Sequence, residues 1–467
     1  MKKNLDVMIK NGTIVTNNGL FKADLAIKNG KIAGVFFPNT EKKKVENMID
    51  AKDMLIFPGV IDSHVHFNEP GRENWEGFKT GSMSAAAGGI TTIIDMPLNS
   101  SPCTINKVEA EKKIKIGEKN SIVDFGLWGG ATPNNIEDLE DLNEMGVVAF
   151  KSFLCDSGIA EFKNINDGEL IDILKRIGRY GSLWGFHAEN DSIVSYLTRK
   201  AKESNCIDRK SFLDSRPPIA EEEAVNRILF FVKEMNPLCT IHFLHTSLVK
   251  NIEEINKLKI LGYNVSVETC PHYLTLTDED FLATGPIAKC TPPLRSRKEV
   301  EDLWRCVKND LIDVIGSDHS PCVFEEKEKG NNNIWEAWGG ISGIQTMLPI
   351  IFSEGVIKRK LPLPQLINMM SCKPAKLFGL YPQKGSLMPG SDADIVIFNP
   401  NKKWIIEKNG LFYKNKYSPF VGKVITGAVE KTLLRGRVIY EKGEIITNFG
   451  IGKFIKRYRH TDKLNKI

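Results

Sequence analysis

The 467-residue sequence predicts an α/β fold: a (β/α)8 barrel of the TIM type beside a small β-sandwich formed from both chain ends. Three observations carry that expectation. Between Phe57 and Pro382 short apolar runs alternate with longer helix-like segments, over about 320 residues, more than a doubly wound sheet needs. Both flanks read instead as short strands broken by turns. The first apolar run of the alternating region ends in two histidines one residue apart, His64 and His66.

The opening segment has three turn signals, Asn11-Gly12, Asn18-Gly19 and Asn29-Gly30, each between apolar stretches, which is hairpin chemistry. The barrel strands are then read in order. The first runs from Pro58 to His66, followed by Thr91–Asp95, Val147–Phe150, Leu183–Phe186, Thr240–Leu244, Asn264–Val267 and Asp313–Gly316. After Pro389-Gly390 the strand-and-turn texture returns in Ala393–Phe398 and Lys431–Gly436. The simplest arrangement pairs residues 1–56 with 386–450 in one β-domain, leaves 57–385 as the barrel, and makes 451–467 a tail. A separate C-terminal β-domain is the alternative.

Composition excludes several classes. Net charge is only +5, and hydrophobic and charged residues make up 42% and 26%, a globular balance. The basic residues are scattered or interleaved with acids, as in Glu325-Glu326-Lys327-Glu328-Lys329, so no nucleic-acid surface is indicated. Nine cysteines without a C-x-x-C pair fit a reducing compartment better than a disulfide framework. No apolar core follows the lysines at the start, and no run is long enough for a bilayer. The expected location is the cytoplasm, with no membrane partner.

Catalytic groups of such a barrel sit at the C-terminal ends of its strands. Two histidines at i and i+2 of a strand share a face, and neutral imidazoles suit zinc and its neighbours. Successive strand ends add Lys151, His187, His245 and Asp318. Any one has a bland reading: a lone histidine is more often hydrogen-bonded scaffold, and a lysine can snorkel. Ordered recurrence favours a metal centre. His242, three residues before His245, faces the opposite side of a regular strand and is expected to be packed behind the site. His272, in Glu268-Thr269-Cys270-Pro271-His272, either orients a ligand or is structural, and His460 lies in a basic tail.

In this order, His64-x-His66, Lys151, His187, His245 and Asp318 resemble the amidohydrolase superfamily, specifically its cyclic amidohydrolases. The resemblance implies two divalent cations, usually zinc, bridged by a carbamate on Lys151 (an N6-carboxylysine). His64, His66 and Asp318 would hold one cation, and His187 and His245 the other. It further implies that hydroxide attacks a ring carbonyl while Asp318 accepts the proton and returns it to the leaving nitrogen.

The ring is read from the surroundings. Dihydroorotases carry arginine two residues after the second histidine to pair the substrate carboxylate; here that residue is Asn68. Hydantoinases show a tyrosine shortly after the bridging lysine; here Lys151-Ser152-Phe153-Leu154-Cys155-Asp156-Ser157 has none. Both departures match the allantoinases. So do Glu69-Pro70-Gly71-Arg72, Asp95-Met96-Pro97-Leu98-Asn99, Lys289-Cys290-Thr291-Pro292-Pro293 and Ala337-Trp338-Gly339-Gly340, a similarity spanning nearly the whole chain. It implies allantoin as substrate, allantoate as product, and a tetramer or dimer. Hydantoinase or dihydropyrimidinase is the alternative. Asn68, Ser157, Thr291, Gly339 and Gly340 are the candidate substrate contacts, although Thr291 would equally cap a turn and the glycines serve a tight loop.

Overall fold

The computed structural model describes residues 5–41 and 44–457; His460 lies outside the described residues. Eight parallel strands follow one another in sheet order: Val60–Val65, Ile90–Asp95, Asp124–Gly130, Ala149–Phe153, Leu183–His187, Thr240–Phe243, Val265–Thr269 and Val314–Ile315. The seam between last and first is drawn together by a parallel bridge of Val65 to His319 and by the His66 N–H donating to the His319 carbonyl at 2.9 Å. Helices cover the outside, so both strand faces are dry. Val60–Val65, Ile90–Asp95 and Val265–Thr269 are buried at every residue.

Seven of the eight strands match the sequence expectation. The missing one, Asp124–Gly130, reads Asp-Phe-Gly-Leu-Trp-Gly-Gly, and its three glycines suppress the strand signal. Tight packing explains them: a Cβ on Gly130 would stand 2.6 Å from the Phe162 ring. Bounds also shift. The strand expected to end at Phe150 runs from Ala149 to Phe153, so Lys151 is mid-strand.

The flanks form two sheets. One is four-stranded, in the order Lys31–Phe36, Asp24–Lys28, Leu5–Lys10, Val45–Asp50. The other, seven-stranded, takes Thr13–Thr16, Gly19–Lys22 and Leu55–Pro58 from before the barrel and Ile395–Ile405, Val424–Leu434, Arg437–Glu441 and Glu444–Ile445 from after it. Leu55–Pro58 pairs antiparallel with Ile395–Ile405 in the middle. The Asn29-Gly30 hairpin forms as its residues dictate, both with positive φ (49° and 72°), the twist that suits a tight turn.

A buried ion cluster rivets sheet to barrel. Lys384 donates to Asp124 of the third barrel strand at 2.5 Å and to Asp394 at 2.6 Å, and lies 2.9 Å from Asp392. Arg435 also pairs with Asp124. The beginning of the tail is not loose: the Phe125 N–H donates to the Lys453 carbonyl and the Ile455 N–H to the Phe125 carbonyl. Among the described residues no helix is long and apolar enough to cross a membrane, and all nine cysteines are free thiols.

Candidate metal centre

The strand ends converge on one small cavity of about 60 Å³. His64, His66, Lys151, His187, His245 and Asp318 all line it. His64 Nε2 and His66 Nε2 stand 3.3 and 3.4 Å from the same Asp318 oxygen. On the other side His187 Nδ1 faces His245 Nε2 at 3.1 Å. The two groups adjoin, with the His64 and His245 rings 5.4 Å apart.

Local backbone makes this convergence possible. His245 and Asp318 both lie past the ends of their strands, with φ of 35° and 44°, a left-handed conformation that non-glycine residues seldom adopt and that clusters at functional sites. The turn at His245 separates it from His242. His242 stays on its strand, fully buried, with Nδ1 2.8 Å from Ser266 Oγ, as expected of a packed residue. His272, on the turn Pro271–Thr275, is buried against Tyr273 and does not line the cavity.

Carboxylates behind the histidines fix their ring nitrogens. Glu268, fully buried, lies 2.7 Å from His64 Nδ1 and also accepts from Ser63 Oγ at 2.9 Å. Burial opposes its charge, but His64 and His242 beside it hold the carboxyl well below the usual range. An ionised carboxylate only accepts, so His64 Nδ1 is the donor toward Glu268, and in the neutral imidazole that tautomer leaves Nε2, on the side of Asp318, as the atom free to ligate. Glu189 does the same for His187, 2.7 Å from Nε2, and is itself paired with Arg216. Sequence reasoning missed both glutamates. Glu189 lies two residues after His187 and Glu268 in the stretch read for His272, so the signal was an acid near a candidate ligand.

The electrostatics favour neutral donors. Burial pulls His66 down to about 4 and also lowers His187 and His245. Asp318 is pushed up by burial but pulled further down by His64 and His66, to about 2. Burial brings Lys151 down to about 7. Its Nζ has no hydrogen-bond partner among the described residues, and His245 Nδ1 has none either. Buried polar atoms are normally satisfied. Facing imidazole lone pairs, an ionised carboxylate and an unpaired amine are a donor set that divalent cations complete. His64, His66 and Asp318 have ligand atoms mutually within 4.8 Å.

Four of the five substrate candidates, Ser157, Thr291, Gly339 and Gly340, line the same cavity. Asn68 does not. It is fully buried in the wall and its amide donates to the Pro321 carbonyl at 3.4 Å, because the loop after His66 turns back toward the barrel seam. The Ser157 hydroxyl is taken up in its own turn, donating to the Phe162 carbonyl at 2.7 Å. Outward, Phe153, Thr291 and Trp338 are shared with a larger cavity of about 580 Å³.

The family model described as "Amidohydrolase family" matches residues 55–439. The chain belongs to the amidohydrolase family. It is therefore a hydrolase, in a family that generally binds divalent metals. Among relatives, a protein named allantoinase from Solibacter usitatus (strain Ellin6076) is 38% identical over 445 residues, covering 95% of this chain and 96% of that one. An allantoinase from Escherichia coli (strain SE11) is 38% identical over 458 residues, covering 97% and 99%. Among solved structures, an L-hydantoinase (dihydropyrimidinase) from Arthrobacter aurescens superposes with a TM-score of 0.94 at 37% identity, covering 97% of this chain and 100% of that one.

Proposed function

We propose that this amidohydrolase opens the five-membered ring of allantoin to allantoate. The observation that carries the hydrolytic chemistry is the buried Lys151 Nζ, without a hydrogen-bond partner among the described residues, in a cavity shared with four histidines and Asp318. Near-full-length similarity to proteins named allantoinase favours the substrate. Asn68 instead of an arginine and the absence of tyrosine at 152–157 agree with it.

His64, His66 and Asp318 would hold one divalent cation, His187 and His245 a second, and Lys151 would bridge them as a carbamate, which offers two anionic oxygens where an amine offers none. Zinc suits these nitrogen and oxygen donors. Such a pair, when bound, brings the pKa of a shared water toward neutrality and polarises the ring carbonyl. The chain's own groups do the rest. Asp318, held ionised, would take the proton of the attacking water and return it to the leaving ring nitrogen. Glu268 and Glu189 fix the tautomers of His64 and His187. Thr291 and Gly339 border the ring's space, and Phe153, stacked on His187 at 4.6 Å, closes one wall with carbon. The expected product is a ring-opened carbamoyl acid. A cytoplasmic tetramer or dimer completes the proposal; nine free thiols support a reducing compartment.

One observation favours hydantoinase activity as a second reading. The outer cavity, where Phe212, Trp335 and Trp338 stand among charged residues such as Arg216, Glu203 and Lys289, is roomy, in the size range of sites for larger ligands. Assaying allantoin, hydantoin and dihydrouracil side by side on metal-loaded protein separates the readings. Preferential opening of allantoin is expected; turnover of dihydrouracil with allantoin untouched would overturn the proposal.

A further inference from the structure

The Glu325-Glu326-Lys327-Glu328-Lys329 run reads as a solvated charged face, yet Lys327 is only 1% exposed. Its amino group turns inward and donates to the carbonyls of Trp338 at 2.8 Å, Gly340 at 2.6 Å and Lys289 at 3.4 Å. Lys289, 6% exposed, donates to the carbonyls of Ile334 at 2.8 Å and Ala337 at 2.6 Å. Its Nζ also lies 4.9 Å over the Phe212 ring. Among the described residues neither lysine has a carboxylate partner. Two buried amines without counter-ions are costly: burial lowers Lys289 to about 7 and Lys327 to about 8.

What the two amines hold is one irregular segment. After the single turn Ile334–Glu336, residues 337–340 have no helix or strand to fix them, and their shape rests on these captured carbonyls. The Gly340 N–H adds a bond to the Lys289 carbonyl at 2.8 Å and the Trp338 N–H one to Glu326 at 3.2 Å. Between them Gly339 stands apart. Neither its N–H nor its C=O is engaged by another described residue, and it borders both cavities. A Cβ there would meet only Thr291 Cγ2 at 3.7 Å, so packing does not force a glycine. At Gly340 it does, since a Cβ would press on the Ser320 carbonyl at 2.2 Å. The segment is pinned on either side of one open peptide edge, next to Thr291, two residues from Lys289.

We propose that Lys289 and Lys327 are positioning residues that hold the Gly339 peptide edge, and Thr291 beside it, toward the ring of a cyclic amide substrate. Either protonation state serves, because a neutral amine still has two donors. The proposal rests on the cyclic-amide reading of the site and deepens it. A ring amide brings one N–H and one C=O per edge, the complement of an unengaged peptide.

The test is Lys327→Met, which keeps length and bulk but removes the donors, in metal-loaded protein. Hydrogen exchange is followed over residues 334–341, with kcat and KM measured on the cyclic amide that wild type opens best. Faster exchange at Trp338 and Gly340 is expected with metal content unchanged. Losing hydrogen bonds that hold a binding edge should raise KM about 10- to 100-fold while kcat stays within about threefold. A merely structural lysine would lower thermal stability and leave KM alone, and that result overturns the proposal. Should Lys327→Met not fold, Lys289→Met, which removes the donors to the Ile334 and Ala337 carbonyls, takes the same readouts with the same expected and overturning results. If wild type opens no cyclic amide, the functional reading falls, while unchanged exchange in the variant independently sinks the positioning role.

Discussion

Replacing Glu268 by glutamine would test whether the acids behind the histidines set metal affinity. Glu268 is 0% exposed and its oxygens face three donors, His64 Nδ1 at 2.7 Å, Ser63 Oγ at 2.9 Å and the His245 N–H at 3.4 Å. Glutamine keeps the shape, removes the charge and leaves one acceptor oxygen for three donors. Either Ser63 loses its partner, or His64 moves its proton to Nε2 and gives up the lone pair a cation needs. A hydrogen bond to a charged group is worth about 1.5–3 kcal/mol, which converts to roughly 10- to 150-fold in affinity, in line with the 10- to 100-fold loss typical of such changes. The assay is competitive titration of metal-loaded protein with a chelator of known affinity. Retention of metal within about twofold of wild type would show that His64 is fixed by other means and would refute the reasoning.

Lys384→Met should strip the only cation that lies within hydrogen-bond reach of Asp394 among the described residues, while Asp124 keeps Arg435, leaving one buried carboxylate uncompensated at a cost of about 3–5 kcal/mol. Denaturant unfolding measures it, and a loss below about 1 kcal/mol would make the cluster dispensable. The pH dependence of stability should reveal Lys289. Its folded-state value of about 7 lies below the ordinary 10.5, so the unfolded chain binds more protons in between and wild-type stability is favoured as pH rises through that window. The gap in unfolding free energy between wild type and Lys289→Met should therefore shift toward wild type from pH 7 to 10, by at most about 1.4 kcal/mol per unit. A gap independent of pH would mean that the amine titrates normally.

The barrel and the convergence of its candidate ligands on one cavity were legible because strand ends are where such folds place chemistry, and because histidine, lysine and aspartate are conspicuous there. Less legible was whatever depends on a partner distant in sequence. The Asp124–Gly130 strand is disguised by glycines that are explained only by Val148, Phe150 and Phe162 packed against them. Glu268 stands 204 residues from His64, and no local pattern announces that pair. Asn68 fails as a cavity residue because its loop is steered by Pro321 across the barrel seam. Lys327 hides in a charge run because its own turn, Phe324–Glu328, aims it inward against the run's average character.

Lys151 joins the two halves of the proposed centre, and its removal is the most direct test of the account. Metal stoichiometry of wild type and Lys151→Ala, measured on protein purified without chelator and paired with an allantoin assay, should give two divalent ions and turnover in wild type. The variant should retain fewer ions and show no turnover. Full metal and undiminished activity in Lys151→Ala would contradict a lysine-bridged centre.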